Sequence, residues 1–162
     1  MKKLIYILIG ICFVSSCKKE DPTHIFGVTD VVVTQSSADK NRLKTDVEFV
    51  SIAYADIFGA SISQGELEDV IITYKSFGDK SLVIEMIIRK FIINEASNIP
   101  TINRSSTTTT EAFVNDIYKN IYNREPNAFE KWYLSDLIKN ENSITAEMVY
   151  YSLMTANEYR YY

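Results

Sequence analysis

Phe113-Val114-Asn115-Asp116-Ile117-Tyr118-Lys119-Asn120-Ile121-Tyr122-Asn123-Arg124-Glu125-Pro126-Asn127-Ala128-Phe129-Glu130 is the stretch from which the fold is read. Phe113, Val114, Ile117, Tyr118, Ile121 and Tyr122 recur at the spacing of one helix face. Asn123 then supplies a residue that tolerates the left-handed conformation closing a helix. Asn127 stands three places before Glu130, the spacing of a cap whose partner carboxylate reaches back to the cap's own N–H, so a second helix restarts there.

Moving 64 places towards the N-terminus finds the same pattern. Phe49-Val50 falls on Phe113-Val114, Tyr54 on Tyr118, Ile57-Phe58 on Ile121-Tyr122, and Glu66 on Glu130. The punctuation coincides as well: Gly59 with Asn123, Ser63 with Asn127, Gly78 with Asn142, and Asp79 with Ser143. Glycine and asparagine close helices, whereas Ser, Asn and Asp open them. The expectation is an all-α protein of two degenerate three-helix units, 39–96 and 109–162, about six helices in all.

Between Asp79 and Glu95 the apolar residues Leu82, Val83, Ile84, Met86, Ile87, Ile88, Phe91, Ile92 and Ile93 surround most of a helix, which predicts a central, buried element. From Ser97 the chain turns polar, with Pro100, Asn103 and a run from Ser105 to Thr110, so 97–108 reads as a linker. Thr108 and Glu111 have capping-box spacing and are expected to restart the chain as helix. Phe129, Trp132-Tyr133, Leu137 and Ile138 mark the next helix, and Met148-Val149, Tyr151, Leu153 and Ala156 the last.

The second unit resembles an uncharacterised family of small helical domains in bacterial surface and secreted proteins, similar in pattern to phycobilisome linker domains. The residues that carry the likeness are the 113–127 stretch, the pair Trp132-Tyr133, and the ending Met154-x-x-Asn157-Glu158-Tyr159. The family pattern has a Leu-Gly-Arg-x-Pro-Asp turn, an aromatic pair and a closing Ser-x-Glu-Phe/Tyr. Here Arg124 and Pro126 are kept, while Asn123 stands for the Gly and Asn127 for the Asp. The first unit lacks the Arg and the Pro. The resemblance implies scaffolding or linker behaviour and brings no catalytic residue with it.

Working outward to the N-terminus, Lys2 and Lys3 precede an apolar run from Leu4 to Val14. As a helix that run spans roughly 16 Å, about half of a ~30 Å hydrocarbon core. The run ends in Val14-Ser15-Ser16-Cys17, which resembles a bacterial lipobox, so 1–16 is read as a lipoprotein signal peptide and Cys17 as the lipid attachment site. Residues 17–38 follow as a tether with an extended segment at Ile25–Val33. Lys18-Lys19-Glu20-Asp21 has no Asp directly after Cys17, and the expected location is the outer membrane, on either face. Removing Lys2 and Lys3 with the leader leaves 15 basic and 21 acidic side chains, a formal −6. A chain of that sign is unsuited to nucleic acid.

Chemistry-bearing motifs are scarce. His24 is the one histidine and lies in the tether; Glu66, Glu68 and Asp69 crowd a helix start, where the dipole favours them. Met86, Met148 and Met154 read as core fillers. No phosphate loop, zinc spacing or catalytic constellation is present, and neither cofactor nor metal is expected. Arg124, Pro126, Asn127 and Glu130 read as structural turn residues, with Arg124 tying the turn to a neighbouring helix end.

Eight of the 11 tyrosines lie from Tyr118 onward, which concentrates interface-type side chains in the second unit. Trp132, Tyr133, Tyr150, Tyr151, Tyr159, Tyr161 and Tyr162 are the candidate partner-binding residues. The expected function is that of a non-enzymatic, lipid-anchored envelope adapter for a partner protein or surface glycan. The alternative is a small-molecule or glycan-binding lipoprotein of an uptake system, for which Trp132 and several tyrosines would line a shallow pocket.

Overall fold

Helix starts in this chain are set by hydroxyl, amide and carboxylate caps, and the observed ends follow them closely. The computed structural model describes residues 41–161; the signal peptide, Cys17, His24, the tether and Tyr162 lie outside the described residues. Among the described residues the chain is all-helical: α1 Asp46–Phe58, α2 Gln64–Ser76, α3 Lys80–Ile92, α4 Thr107–Tyr122, α5 Ala128–Asn140, α6 Ala146–Thr155, and a 3₁₀ turn Asn157–Arg160.

The 64-residue register is visible in the caps. Gly59 closes α1 at φ 66° and Asn123 closes α4 at φ 53°, the two positive-φ residues among those described. Ser63 and Asn127 cap α2 and α5 by accepting from Glu66 N–H and Glu130 N–H. Helices α2 and α5 therefore begin and end at equivalent positions. Caps of this kind contribute about 1 kcal/mol each.

The register fails in three places. Gly78 and Asn142 do not close helices in the left-handed conformation; α2 and α5 end at Phe77 and Glu141 with extended backbone. The last helix is capped by Thr145, whose hydroxyl accepts from Met148 N–H, two residues beyond Ser143. Helix α4 starts inside the polar run rather than at Thr108: Ser106 is its cap, with Thr109 Oγ1 accepting from Ser106 N–H at 3.2 Å and Ser106 Oγ accepting from Thr109 N–H at 3.2 Å. Threonine thus takes the place that Glu occupies in the usual capping box.

Helices α1, α2 and α3 pack on one another, and α4 packs on both α5 and α6. The two groups join where the third helix of one, α3, lies along the third helix of the other, α6. At that seam Arg89 sits 5.6 Å from the Tyr151 ring, and the Tyr151 hydroxyl donates to Glu85 at 3.4 Å. All the described helices belong to one compact unit. Its core runs through Val50, Ala53, Ile57, Val83, Ile88, Val114, Ile117, Ile138 and Met154, each almost wholly withdrawn from solvent.

Helix α3 is less enclosed than its composition suggests. Val83, Ile84, Ile87, Ile88, Phe91 and Ile92 are buried, whereas Leu82, Met86 and, just past the helix end, Ile93 are exposed. One stripe of the helix lacks a neighbour because α1, α2 and α6 together cover only part of its circumference. For the same reason Met86 and Met148 are surface residues, and only Met154 of the three methionines is a core filler.

The 97–108 segment is fastened to the body. Asn98 N–H donates to Ile57 O at 2.8 Å, beside the left-handed Gly59. Ile99 and Ile102 lean on the core. Arg104 donates from Nε to Ile138 O at 2.9 Å and from Nη2 to Ile144 O, closing the carbonyl-rich end of α5. Nothing in the sequence pattern marked Arg104 for that role.

Candidate functional site

Two constellations in the second unit gather the residues singled out from the sequence. The first is internal. Arg124 leaves the α4–α5 turn and forks between two carboxylates: Nη1 and Nη2 donate to Glu130 at 2.8 Å each, and Nε and Nη2 donate to Glu158 at 2.6 and 2.8 Å. Glu130 also accepts from Asn127 N–H at 2.7 Å, so one carboxylate serves the cap and the guanidinium together. Arg124 further lies 5.1 and 5.5 Å from the Tyr118 and Tyr122 rings. Pro126 is buried beneath the turn.

These contacts act on charge as electrostatics requires. The paired guanidinium, chiefly its bond to Glu130, holds Glu130 below the ordinary carboxylate range, and Arg124 is correspondingly more firmly protonated. Burial pushes the Tyr122 and Tyr118 hydroxyls up, with Glu158 and Glu130 adding to the effect, so both phenols stay neutral. Tyr122 Oη donates to Leu153 O at 2.8 Å. The set ties the α4–α5 turn to the chain just after α6, the structural role read for Arg124.

The C-terminus continues this clasp onto α1. Tyr159 is fully buried, its hydroxyl donating to Asp56 Oδ2 at 2.6 Å and its ring meeting Phe49 edge-on at 5.7 Å. Lys44 donates to Tyr159 O at 2.6 Å and sits 4.0 Å from its ring centroid. Lys44 N–H donates to Arg160 O at 2.9 Å, and Leu43 and Tyr161 form an isolated antiparallel bridge. Burial raises Asp56 above the usual carboxylate range, opposed by the Tyr159 bond and by Lys44.

Tyr159 is therefore a core residue rather than a partner-binding one. Its ring fills the space between α1 and the C-terminal turn. Tyr150 is corrected in the same way: at 3% exposure it packs inward, and burial raises its hydroxyl. Tyr151, about 100° further round α6, is half-buried at the seam. Tyr161 is exposed but engaged in the bridge to Leu43.

The second constellation is external. Phe129, Trp132 and Tyr133 are 66%, 61% and 53% exposed on the outer face of α5. Phe129 and Tyr133 stack with centroids 5.8 Å apart and planes at 14°; Trp132 stands 6.0 Å from Phe129 at 48°. Ser135 and Ile138, on the opposite side, anchor α5 to the core. The fold does not demand these rings, because the equivalent positions of α2 are Gly65, Glu68 and Asp69.

Among the described residues, grooves lie elsewhere. One of about 270 Å³ lies between α2 and α3 beside Val70, Phe77 and Met86; one of about 300 Å³ lies between Pro100 and Tyr150; one of about 480 Å³ lies beside Arg89, Met148 and Tyr151. Trp132 lines none of the three. Among the described residues no group of three or more His, Cys, Asp or Glu is placed to hold a metal ion, and no helix is long and apolar enough to cross a membrane. Comparison with protein-family models, curated proteins and solved structures finds no match to this chain.

Proposed function

We propose that the protein is a non-enzymatic, lipid-anchored adapter of the bacterial envelope that presents the outer face of α5 to its partner. The observation that carries this reading is the exposed cluster of Phe129, Trp132 and Tyr133 on the outer face of α5. Aromatic side chains supply most of the binding energy of small recognition surfaces. Leaving three of them in water on a helix whose sister carries Gly, Glu and Asp costs solubility, and an adapter role accounts for their placement. None of the three rings lines the grooves described above, which favours an adapter over an uptake protein, whose ligand needs an enclosing pocket. The Arg124 clasp and the Tyr159 plug supply the rigid mount. The likeness of 109–159 to linker domains of surface proteins, and the Cys17 lipobox, point the same way.

Affinity purification from native envelopes tests the proposal, with the full chain, a Cys17→Ala form and a Phe129→Ala/Trp132→Ala/Tyr133→Ala form compared. A stoichiometric envelope component retained by the first and lost from the triple variant is the expected result. Equal recovery with the triple variant contradicts it.

A further inference from the structure

We propose that the outer face of α5 recognises a neutral polysaccharide. The inference rests on the adapter reading and names the chemistry of its partner. Besides the three rings, the stripe holds two polar groups, Asp136 and Asn140. At 100° per residue, positions 129, 132, 133, 136 and 140 fall within a stripe about 100° wide, with the two polar residues along its middle. Both are exposed, and Asn140 Nδ2 donates to Asp136 Oδ1 at 2.9 Å. That bond sets the carboxylate and the amide side by side, with further acceptor and donor capacity directed to solvent.

Flat aromatic faces beside a planar carboxylate–amide pair match the two surfaces of a sugar chain. The C–H faces of pyranose rings stack on aromatic rings, while adjacent hydroxyls bond to carboxylate and amide. The stacked Phe129 and Tyr133, with Trp132 at an angle to them, offer faces to more than one sugar ring. Charge disfavours an acidic polymer, since the chain carries a formal −4 with the leader and −6 without it, and Asp136 lies within the stripe.

The other occupants fit less well. An interfacial membrane helix flanks its aromatics with several Lys and Arg, whereas this stripe centres on a carboxylate and is bordered by Lys139, whose amine is held by Thr107 Oγ1 at 2.7 Å. A second copy docked face to face through a two-fold axis would bring two Asp136 side chains together.

Trp132 is the only tryptophan, so its emission reads this face alone. The full chain, held in a detergent without a sugar headgroup, is titrated with cellohexaose, chitohexaose, mannohexaose and xylohexaose. Hexagalacturonate and phosphatidylethanolamine/phosphatidylglycerol vesicles are titrated in parallel. The expected result is a saturable emission change with at least one neutral hexaose. Affinity should fall by about tenfold or more in Phe129→Ala/Tyr133→Ala, and also in Asp136→Ala, with helicity unchanged in both. Silence towards every neutral hexaose overturns the proposal, as does a response confined to vesicles or the acidic sugar, or one undiminished in the double variant. Silence accompanied by capture of an envelope protein that needs Trp132 sinks the sugar assignment and leaves the adapter reading standing. Silence with no capture sinks both.

Discussion

Replacing Arg124 with Met keeps most of the aliphatic stem and removes the guanidinium, which isolates what the double fork contributes. The side chain is about one-third exposed, at 32%, and its partners Glu130 and Glu158 are 24% and 33% exposed. These are neither free surface pairs nor buried ones. Each two-point fork is therefore taken at the top of the surface range, about 1 kcal/mol, rather than at the 3–5 kcal/mol of breaking a buried pair. The contacts with the Tyr118 and Tyr122 rings add about 0.5–1 kcal/mol. The expected loss is about 2.5–3 kcal/mol. For a domain of this size each kcal/mol lowers Tm by about 4 °C, so the transition should fall by about 10–12 °C. Thermal and urea unfolding followed by far-ultraviolet circular dichroism reads the change. A double-mutant cycle with Glu158→Gln should give a coupling of about 1 kcal/mol. A fall below about 2 °C, or a coupling within about 0.3 kcal/mol of zero, would refute the view that Arg124 clamps the C-terminal turn to the α4–α5 corner.

Other outcomes follow from the same geometry. Gly59→Ala forces a β-carbon into the left-handed region and should cost about 1–2 kcal/mol, whereas Asn123→Gly should leave stability unchanged or raise it slightly; chemical denaturation measures both. Tyr150→Ala should destabilise by about 3–5 kcal/mol as a core deletion, while Tyr133→Ala should stay within about 0.5 kcal/mol of the parent. Because Asp56 is raised in the fold, its ionisation opposes folding; its contribution improves as pH falls through the folded value towards the ordinary 3.8. Asp56→Asn keeps an acceptor for Tyr159 and should remove that acid-side gain, seen as a steeper loss of stability on acidification. Glu130 has the opposite sign: its lowered pKa gives stability that is present above the ordinary 4.5 and lost as pH falls through the folded value, so Glu130→Gln should flatten the acid limb.

Those acid-base contrasts also show which parts of the molecule were legible in the sequence. Helix order and most ends could be read because caps are local: Ser63, Asn127, Gly59 and Asn123 act within a few residues of themselves. The two third helices lost register because Asp79 caps α3 as read, whereas Thr145 rather than Ser143 opens α6. Exposure along α3 was not legible, since composition shows how apolar a helix is but not how many helices cover it. Tyr150 and Tyr159 were misassigned for a related reason. A tyrosine suits either a core or an interface, and the decision lay with long-range partners such as Asp56, 103 residues away from Tyr159. Arg124 stood out in the sequence as a turn residue, but its bond to Glu158 spans 34 residues and only the fold reveals it. Trp132 and Tyr133 stand out from the enrichment of aromatics in the second unit, whereas Phe129 reads there only as a mark of the helix; i, i+3, i+4 spacing is equally that of a buried face, and only the fold shows all three rings exposed.

The central claim is that the aromatic face of α5 is the surface this protein presents. The most direct measurement places a photo-activatable side chain at position 132, and in a second form at the equivalent position 68, in the full chain within native envelopes. Illumination should yield a discrete adduct from position 132, with protein or polysaccharide, and none from position 68. Adducts of equal yield from both positions, or from position 68 alone, would contradict the account.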